Sequence, residues 1–287
     1  MKTFGKIDLH MHSTVSDGTN TPSEILSCVK DAGIELFSLT DHDAVKGSLE
    51  ILSMLKKDDP GFITGAEFSC RDEQGEYHIL GYGYDPKSEA INKLVEAGHS
   101  LRMMKVKARL DFIDEKFGFA FSDEDREAIL SMDNPGKPHI ANMMVKYGYA
   151  KTKEQGIKEF LDKIDFRHDY ISPAMAIRSI LASGGIPVLA HPSYGSGDQL
   201  VIGDEMDKRL RRLAEYGLRG VEAYYSGFTA KLTEEMLSFA KKYGFYVTAG
   251  SDYHGTNKLV ILGDNGLDDA SKGPAGMLRF LEDVKIN

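Results

Sequence analysis

The segment Lys6-Ile7-Asp8-Leu9-His10-Met11-His12 carries two imidazoles two residues apart. On an extended strand, Asp8, His10 and His12 share one face, and Ile7, Leu9 and Met11 share the other. Two neutral imidazole nitrogens so placed can hold one metal ion. The pair alone fits two histidines on a solvated strand face better than a metal site; its weight comes from the rest of the chain. Asp17 follows in a polar loop, and His42 closes a second apolar run within Asp41-His42-Asp43. Glu67 ends a third run, His78 lies in a fourth, and His191 follows a fifth. Asp252 and His254 follow the last. Mixed imidazole and carboxylate donors suit Zn, Mn or Fe rather than Ca or Mg alone. These donors exceed what one ion needs, so two or three divalent ions sharing a bridging carboxylate is the economical reading. Such ions bind phosphate oxygens, generate hydroxide near neutral pH and steady a leaving oxygen.

The elements that must position these residues alternate. Thr21-Pro22-Ser23-Glu24 has the spacing of a capping box with proline at the first helical position, so a helix is expected over 22–32, stopped by Gly33. A strand is expected over 34–40, a helix over 45–57, and strands over 61–67 and 77–82. From 88 to 169 strand signals vanish, and helical stretches are expected over 89–117, 123–131, 139–147 and 152–163. Tyr170-Ile171-Ser172-Pro173 marks the return to alternation. Helices follow over 173–183, 205–216, 229–243 and 275–284, and strands over 186–190, 218–224 and 245–250. The expectation is an α/β fold made of residues 1–87 and 170–287, with a helical insertion at 88–169 covering the site. The donors fall at, or just beyond, the C-terminal ends of strands, where α/β barrels build their sites.

Composition excludes several classes. The 287 residues carry 44 acidic and 35 basic side chains, a net charge of -9, which argues against wrapping duplex nucleic acid. It does not argue against a small phosphorylated substrate, because bound metals supply local positive charge. Two cysteines, Cys28 and Cys70, make no disulfide framework. With no apolar run near the ~20 residues of a membrane span and no signal-peptide core, a soluble cytoplasmic protein is expected.

Five stretches then carry a resemblance. They are Asp8-Leu9-His10-Met11-His12 with Ser16-Asp17-Gly18; Thr40-Asp41-His42-Asp43; Gly65-Ala66-Glu67-Phe68-Ser69 with Tyr77-His78-Ile79-Leu80-Gly81; Leu189-Ala190-His191-Pro192; and Gly250-Ser251-Asp252-Tyr253-His254-Gly255. In this order the sequence resembles the PHP (polymerase and histidinol phosphatase) superfamily of metal-dependent phosphoesterases. The resemblance implies a distorted (β/α)7 barrel with a trinuclear site. By the same token His10, His12, Glu67 and Asp252 would hold the first ion. Glu67 would bridge to a second, held also by His78 and His191, and Asp17, His42 and His254 would hold the third. Asp17 stands where some relatives have histidine. A hydroxide between the metals would be the nucleophile, with no catalytic side chain beyond the cluster.

The insertion resembles that of the subgroup acting on nucleoside 3′,5′-bisphosphates, which also includes 5′-to-3′ exonucleases on short RNA or DNA. The resemblance rests on residues 101–109, on Gly136-Lys137-Pro138-His139-Ile140-Ala141 and on Tyr170-Ile171-Ser172-Pro173. It points to His139, Arg102, Arg109, Lys137, Arg167 and Arg178 as candidates for a second phosphate. Taken singly, each cation also fits a solvated face, and His139 also fits a role at a helix N-terminus. Lys137 stands where the subgroup often has arginine, which bears on bidentate recognition. Glu222-Ala223-Tyr224-Tyr225 ends another strand and is placed to line the pocket. Asp8, Asp41 and Asp43 suit orientation of the ligands or helix capping. His99 and His168 fit ordinary surface positions, and Cys70 fits a buried inert thiol. A histidinol-phosphate phosphatase is the alternative within the same chemistry, disfavoured by the insertion. A non-catalytic metal-binding module is the alternative of another class, disfavoured because every expected position carries a competent ligand.

Overall fold

The computed structural model describes residues 3–166, 169–194 and 200–287. Its first half lays down β1 (Ile7–Asp8), α1 (Pro22–Asp31), β2 (Leu36–Phe37), α2 (Lys46–Met54), β3 (Gly61–Phe62), β4 (Gly65–Asp72) and β5 (Gly75–Tyr82). The insertion contributes α3 (Glu89–Phe117), α4 (Asp123–Leu130), α5 (Lys137–Lys146) and α6 (Lys153–Gln155). A π-helical turn (Gly156–Phe160) and a 3₁₀ turn (Leu161–Lys163) continue α6. Alternation resumes with α7 (Pro173–Ala182), β6 (Ile186–Leu189), α8 (Gly203–Tyr216), β7 (Gly220–Tyr225), α9 (Ala230–Tyr243), β8 (Tyr246–Gly250) and α10 (Ala275–Asp283). The expected capping box on α1 is present, with Thr21 and Glu24 bonding each other's backbone N–H.

The strands form two sheets, β1-β2-β3 and β4-β5-β6-β7-β8. This corrects the expectation of a closed barrel. The first sheet is parallel, with only two paired residues per ladder. The expected strand over 61–67 is split at Ile63-Thr64, where the chain leaves one sheet for the other. β4 and β5 form an antiparallel hairpin with no helix between them, which breaks the βα repeat. Isolated bridges, Met11 to Tyr253 and His42 to Glu67, span the two gaps between the sheets. Beyond β1 the chain stays extended through single bonds to either side: Leu9 N–H donates to the Ala249 carbonyl, and Thr40 N–H to that of Met11, each at 2.9 Å. Gly65 sits where the sheets approach, and a Cβ there would overlap Ser38 and the Leu39 carbonyl.

The main apolar core lies between the strands and the outer helices, around Leu9, Phe68, Tyr82, Ile177, Leu210 and Phe280. The insertion owns a second core, around Val106, Leu110, Ile113, Ile140, Met144 and Leu161. The 29-residue α3 is about 43 Å long and serves both. Its Ile91 and Leu94 pack in the first core, and its later turns in the second. One continuous helix therefore joins the two cores. Cys70 is buried in the main core, and Cys28 is half-buried on α1.

Candidate metal centre

Glu67 is the hub. It is the third residue of β4, 1% exposed, where the sequence placed it at a strand's end. Its Oε2 lies 3.2 Å from His10 Nε2, 3.1 Å from His12 Nε2 and 3.2 Å from His42 Nδ1. Its Oε1 lies 2.8 Å from His78 Nδ1 and 3.1 Å from His191 Nε2. One carboxylate thus faces five imidazoles from four segments of the chain. Register explains His78: Ser69 pairs with His78 across the hairpin, so His78 is the diagonal neighbour of Glu67 on the same face.

Around this hub the other donors close in. Asp252 Oδ1 is 3.5 Å from His10 Nε2, 3.3 Å from His12 Nε2 and 3.4 Å from His254 Nδ1. Asp17 Oδ1 is 3.3 Å from His254 Nε2, and its Oδ2 is 3.9 Å from His42 Nε2. The structure therefore brings all nine sequence-predicted donors together. In three groups the ligand atoms lie within 4.8 Å of one another: His12, Asp17, His42 and His254; His10, His12 and Glu67; and His42, Glu67 and His78.

The donor set fits divalent metal. His10 Nε2, His12 Nε2, His42 Nδ1 and Asp17 Oδ1 are buried without a hydrogen-bond partner, a costly arrangement unless another group occupies the space. Ligand atoms about 2.1 Å from a shared ion stand about 3.0–3.4 Å apart, which matches the spacings around Glu67.

Outer partners fix the ligands. Glu222, fully buried, accepts the His10 Nδ1 proton at 2.9 Å, which leaves Nε2 as the free lone pair. The other oxygen of Glu222 accepts the His191 backbone N–H at 2.8 Å. A Cβ on Gly250 would collide with His10 and Glu222, so β8 must carry glycine there. His254 Nδ1 donates to the Asp252 carbonyl at 2.9 Å. Asp41 accepts from Ser13 and Ser16, and Asp8 from Ser251 and Gly263, tying together the loops after β1, β2 and β8. Asp43, His191 and Asp252 are the non-glycine residues with positive φ among the described residues, at 48°, 28° and 58°. All three belong to this site, where such strain of about 1–3 kcal/mol each is typically held.

The electrostatics follow from burial and crowding. Burial alone would raise Glu67, yet His10, His78 and His42 hold it well below the usual carboxylate range. Burial would likewise raise Asp252, and Lys258, His10 and His254 outweigh it. His42 is driven well down by burial, with His12 and Arg102 adding to the effect, so it stays neutral and able to ligate.

Beside the donors opens a cavity of about 290 Å³, to which Asp17, His42, His78 and His191 contribute. The insertion lends it Arg102, Lys105, Arg109 and Lys137. Arg102 bonds Asp43 Oδ2 through Nε at 3.1 Å and a terminal nitrogen at 2.8 Å, and approaches Ser69 Oγ at 3.3 Å. Lys105 lies 3.5 Å over the Tyr170 ring, and burial pushes it down to about 8. Arg109 lies 4.8 Å from the centre of the Phe166 ring. Lys137 pairs with Asp162 at 2.8 Å.

Other expectations fall elsewhere. His139 accepts the Gly136 N–H at 3.0 Å and so closes the N-terminus of α5; it is not among the lining residues. Arg178 is exposed on α7, away from the cavity. Arg167 and His168 lie outside the described residues. His99 is half-buried, 3.3 Å from Asn134. Sequence reasoning missed Lys105, although it lies three residues after Arg102 and four before Arg109, on one helical face. It also missed Lys258, which bonds Asp252 and stands 2.9 Å from Tyr225 Oη. No local pattern marks that lysine.

The α/β fold and its buried donor cluster define a class, the metal-dependent phosphoester hydrolases. The chain belongs to the PHP domain family, whose domain matches residues 8–171, and is a phosphoesterase of that family. The 5′-3′ exoribonuclease of Haemophilus influenzae is 28% identical over 263 residues, covering 91% of this chain and 94% of its own. The 3′,5′-nucleoside bisphosphate phosphatase of Chromobacterium violaceum is 28% identical over 261 residues, covering 88% of each. A phosphoribosyl 1,2-cyclic phosphate 1,2-diphosphodiesterase of Eggerthella lenta is 30% identical, covering 86% of this chain and 94% of its own. The crystal structure of a Bifidobacterium adolescentis protein, assigned as a metal-dependent phosphoesterase, superposes with a TM-score of 0.82. It is 26% identical and covers 97% of this chain and 96% of its own. No helix among the described residues is long and apolar enough to cross a membrane.

Proposed function

We propose that this chain removes a phosphate from a small phosphorylated nucleotide, a nucleoside 3′,5′-bisphosphate foremost. The observation that carries the proposal is the contiguity of two spaces: the donor cluster, and a cavity lined by Arg102, Lys105, Arg109 and Lys137. A substrate with two phosphates matches both at once. The Chromobacterium violaceum relative bears the name of this activity. Short 5′-phosphorylated oligonucleotides are the second reading, favoured by the Haemophilus influenzae relative's name.

In this proposal His10, His12, Glu67 and Asp252 hold one divalent ion; Glu67, His78 and His191 a second; and Asp17, His42 and His254 a third. When bound, Mn, Fe or Zn supplies an activated water and charge neutralisation at phosphorus. The chain's own residues do the remaining work. Glu222 keeps the proton on His10 Nδ1 so that Nε2 faces the cluster. Asp43 aims the Arg102 guanidinium, whose remaining N–H groups and the Lys105 ammonium hold the second phosphate. Tyr194, on the cavity wall, offers a flat face to the nucleoside.

The test is product analysis with Mn-loaded protein on adenosine 3′,5′-bisphosphate, histidinol phosphate and a 5′-phosphorylated short RNA. Turnover of the bisphosphate, with histidinol phosphate untouched, is expected. Turnover of histidinol phosphate alone overturns the nucleotide reading.

A further inference from the structure

Glu67 and Asp17 turn both carboxylate oxygens to imidazoles: Glu67 Oε1 and Oε2 to five of them, Asp17 Oδ1 to His254 and Oδ2 to His42. Asp252 divides its oxygens differently. Its Oδ1 faces His10, His12 and His254, while its Oδ2 is taken by two donors, the Tyr225 hydroxyl at 3.0 Å and the Lys258 ammonium. The donors also meet each other, Lys258 Nζ donating to Tyr225 Oη at 2.9 Å, so the three side chains close a ring. Both donors are held from behind. Tyr225 ends β7 and is buried, its ring 5.5 Å from that of His191 and 5.2 Å from that of Phe228. Lys258 follows Asn257, which is bonded on three sides. Asn257 Nδ2 donates to the Asp17 carbonyl at 2.8 Å, its Oδ1 accepts from Asn142 Nδ2 at 3.2 Å, and its carbonyl accepts from Lys153. The insertion, through Asn142 and Lys153, thus holds the loop that delivers Lys258 to Asp252.

We infer that Lys258 and Tyr225 form a clamp that limits Asp252 to one oxygen for its metal ion, and that this clamp sets the chain's metal preference against calcium. The inference rests on the metal assignment proposed above and is independent of the substrate. A carboxylate can give an ion one oxygen or two. Zn closes its shell with about four ligands and Mn with about six, so imidazoles and single carboxylate oxygens go far towards filling either. Ca takes about six to eight oxygens and commonly draws both from one carboxylate. Before Ca can use Asp252 Oδ2, two hydrogen bonds must break, one of them from an ammonium. Lys258 also repels any divalent ion by its charge, and that repulsion is common to Mn and Ca. The occupied oxygen penalises only the ion that needs it. The two effects therefore separate in the ratio of the affinities. Lys258 and Tyr225 are positioning residues: they act through Asp252.

The test is competition between Mn and Ca on the metal-stripped protein, with free Mn read by electron paramagnetic resonance and no substrate present. Direct titrations give the affinity for each ion alone. Ca is then added to Mn-loaded protein. In Lys258→Met the Ca-to-Mn ratio needed to displace one Mn per chain is expected to fall at least about tenfold below that of the wild type, the worth of a charge-assisted hydrogen bond. Tyr225→Phe is expected to lower the same ratio by less. Lys258→Arg, which keeps a charged donor, is expected to restore most of the wild-type ratio. Tyr225→Phe retains the ring's packing, so it carries the test if thermal melts show Lys258→Met to be unfolded. Equal tightening of both ions in Lys258→Met, with the ratio unchanged there and in Tyr225→Phe, reveals an effect of charge alone and overturns the clamp while the metal assignment stands. A wild-type protein that binds no Mn overturns the metal assignment and the clamp with it.

Discussion

The Glu222 carboxylate stands 2.9 Å from His10 Nδ1, and both side chains are fully buried. The pair sets the tautomer of a residue whose Nε2 has no hydrogen-bond partner. Glu222→Gln keeps the volume and weakens this acceptor. Metal affinity is expected to fall about 10–100-fold, measured by calorimetric titration of Mn into metal-stripped protein. Glu222→Ala also leaves the His191 N–H unsatisfied, and a further loss of about 1–3 kcal/mol in unfolding free energy is expected in urea melts.

Glu67→Gln removes one oxygen from the only carboxylate that meets both His78 and His191 among the described residues. Phosphate release is expected to fall at least about a hundredfold, with metal content reduced and the circular dichroism spectrum unchanged. Full activity in this variant would remove Glu67 from the metal assignment.

Lys105 gives the site a pH signature. Burial holds its folded pKa at about 8. Below that value the ammonium is intact and available to phosphate; above it the charge is lost. KM for the bisphosphate is therefore expected to rise about tenfold as pH climbs through about 8, the cost of one charge-assisted hydrogen bond. Stability moves the other way. The unfolded chain holds the lysine proton up to about 10.4, so between about 8 and 10.4 the folded state binds fewer protons, and this lysine's contribution to stability rises with pH. Lys105→Met is expected to abolish both trends, checked by steady-state kinetics and denaturant melts across that range.

Arg102 and Asp43 form a mostly buried pair, with side chains 13% and 4% exposed. Arg102→Ala leaves the Asp43 carboxylate without its guanidinium, at an expected cost of about 2–4 kcal/mol. Adding Asp43→Asn removes the stranded charge, so the double variant is expected to recover much of that stability while KM for the bisphosphate stays high. A double-mutant cycle of melts and kinetics checks both parts.

Much of this arrangement was legible because apolar strands end in conspicuous donors. His10 and His12 after Leu9, His42 after Leu39, His191 after Ala190, and Asp252 after Gly250 each mark a change from core to site. The 89–117 helix was legible to the residue, because Ser88 opens it and Gly118, at φ 69°, closes it. What escaped depends on contacts between distant segments. The splitting of 61–67 follows from Ile63-Thr64 passing between sheets. The π and 3₁₀ turns after α6 replace what periodicity presents as one helix over 152–163. His139 takes the helix N-terminal role that the sequence offered beside a phosphate contact, accepting the Gly136 N–H at Nδ1. Lys258 reaches Asp252 from a loop whose position only the fold decides.

The most direct measurement is the initial rate of inorganic phosphate release from adenosine 3′,5′-bisphosphate as Mn is titrated into metal-stripped wild-type protein, beside Glu67→Gln. The account predicts a rate that rises with bound Mn and saturates at two or three ions per chain, with the variant silent. A wild-type protein that binds those ions and releases no phosphate would contradict it.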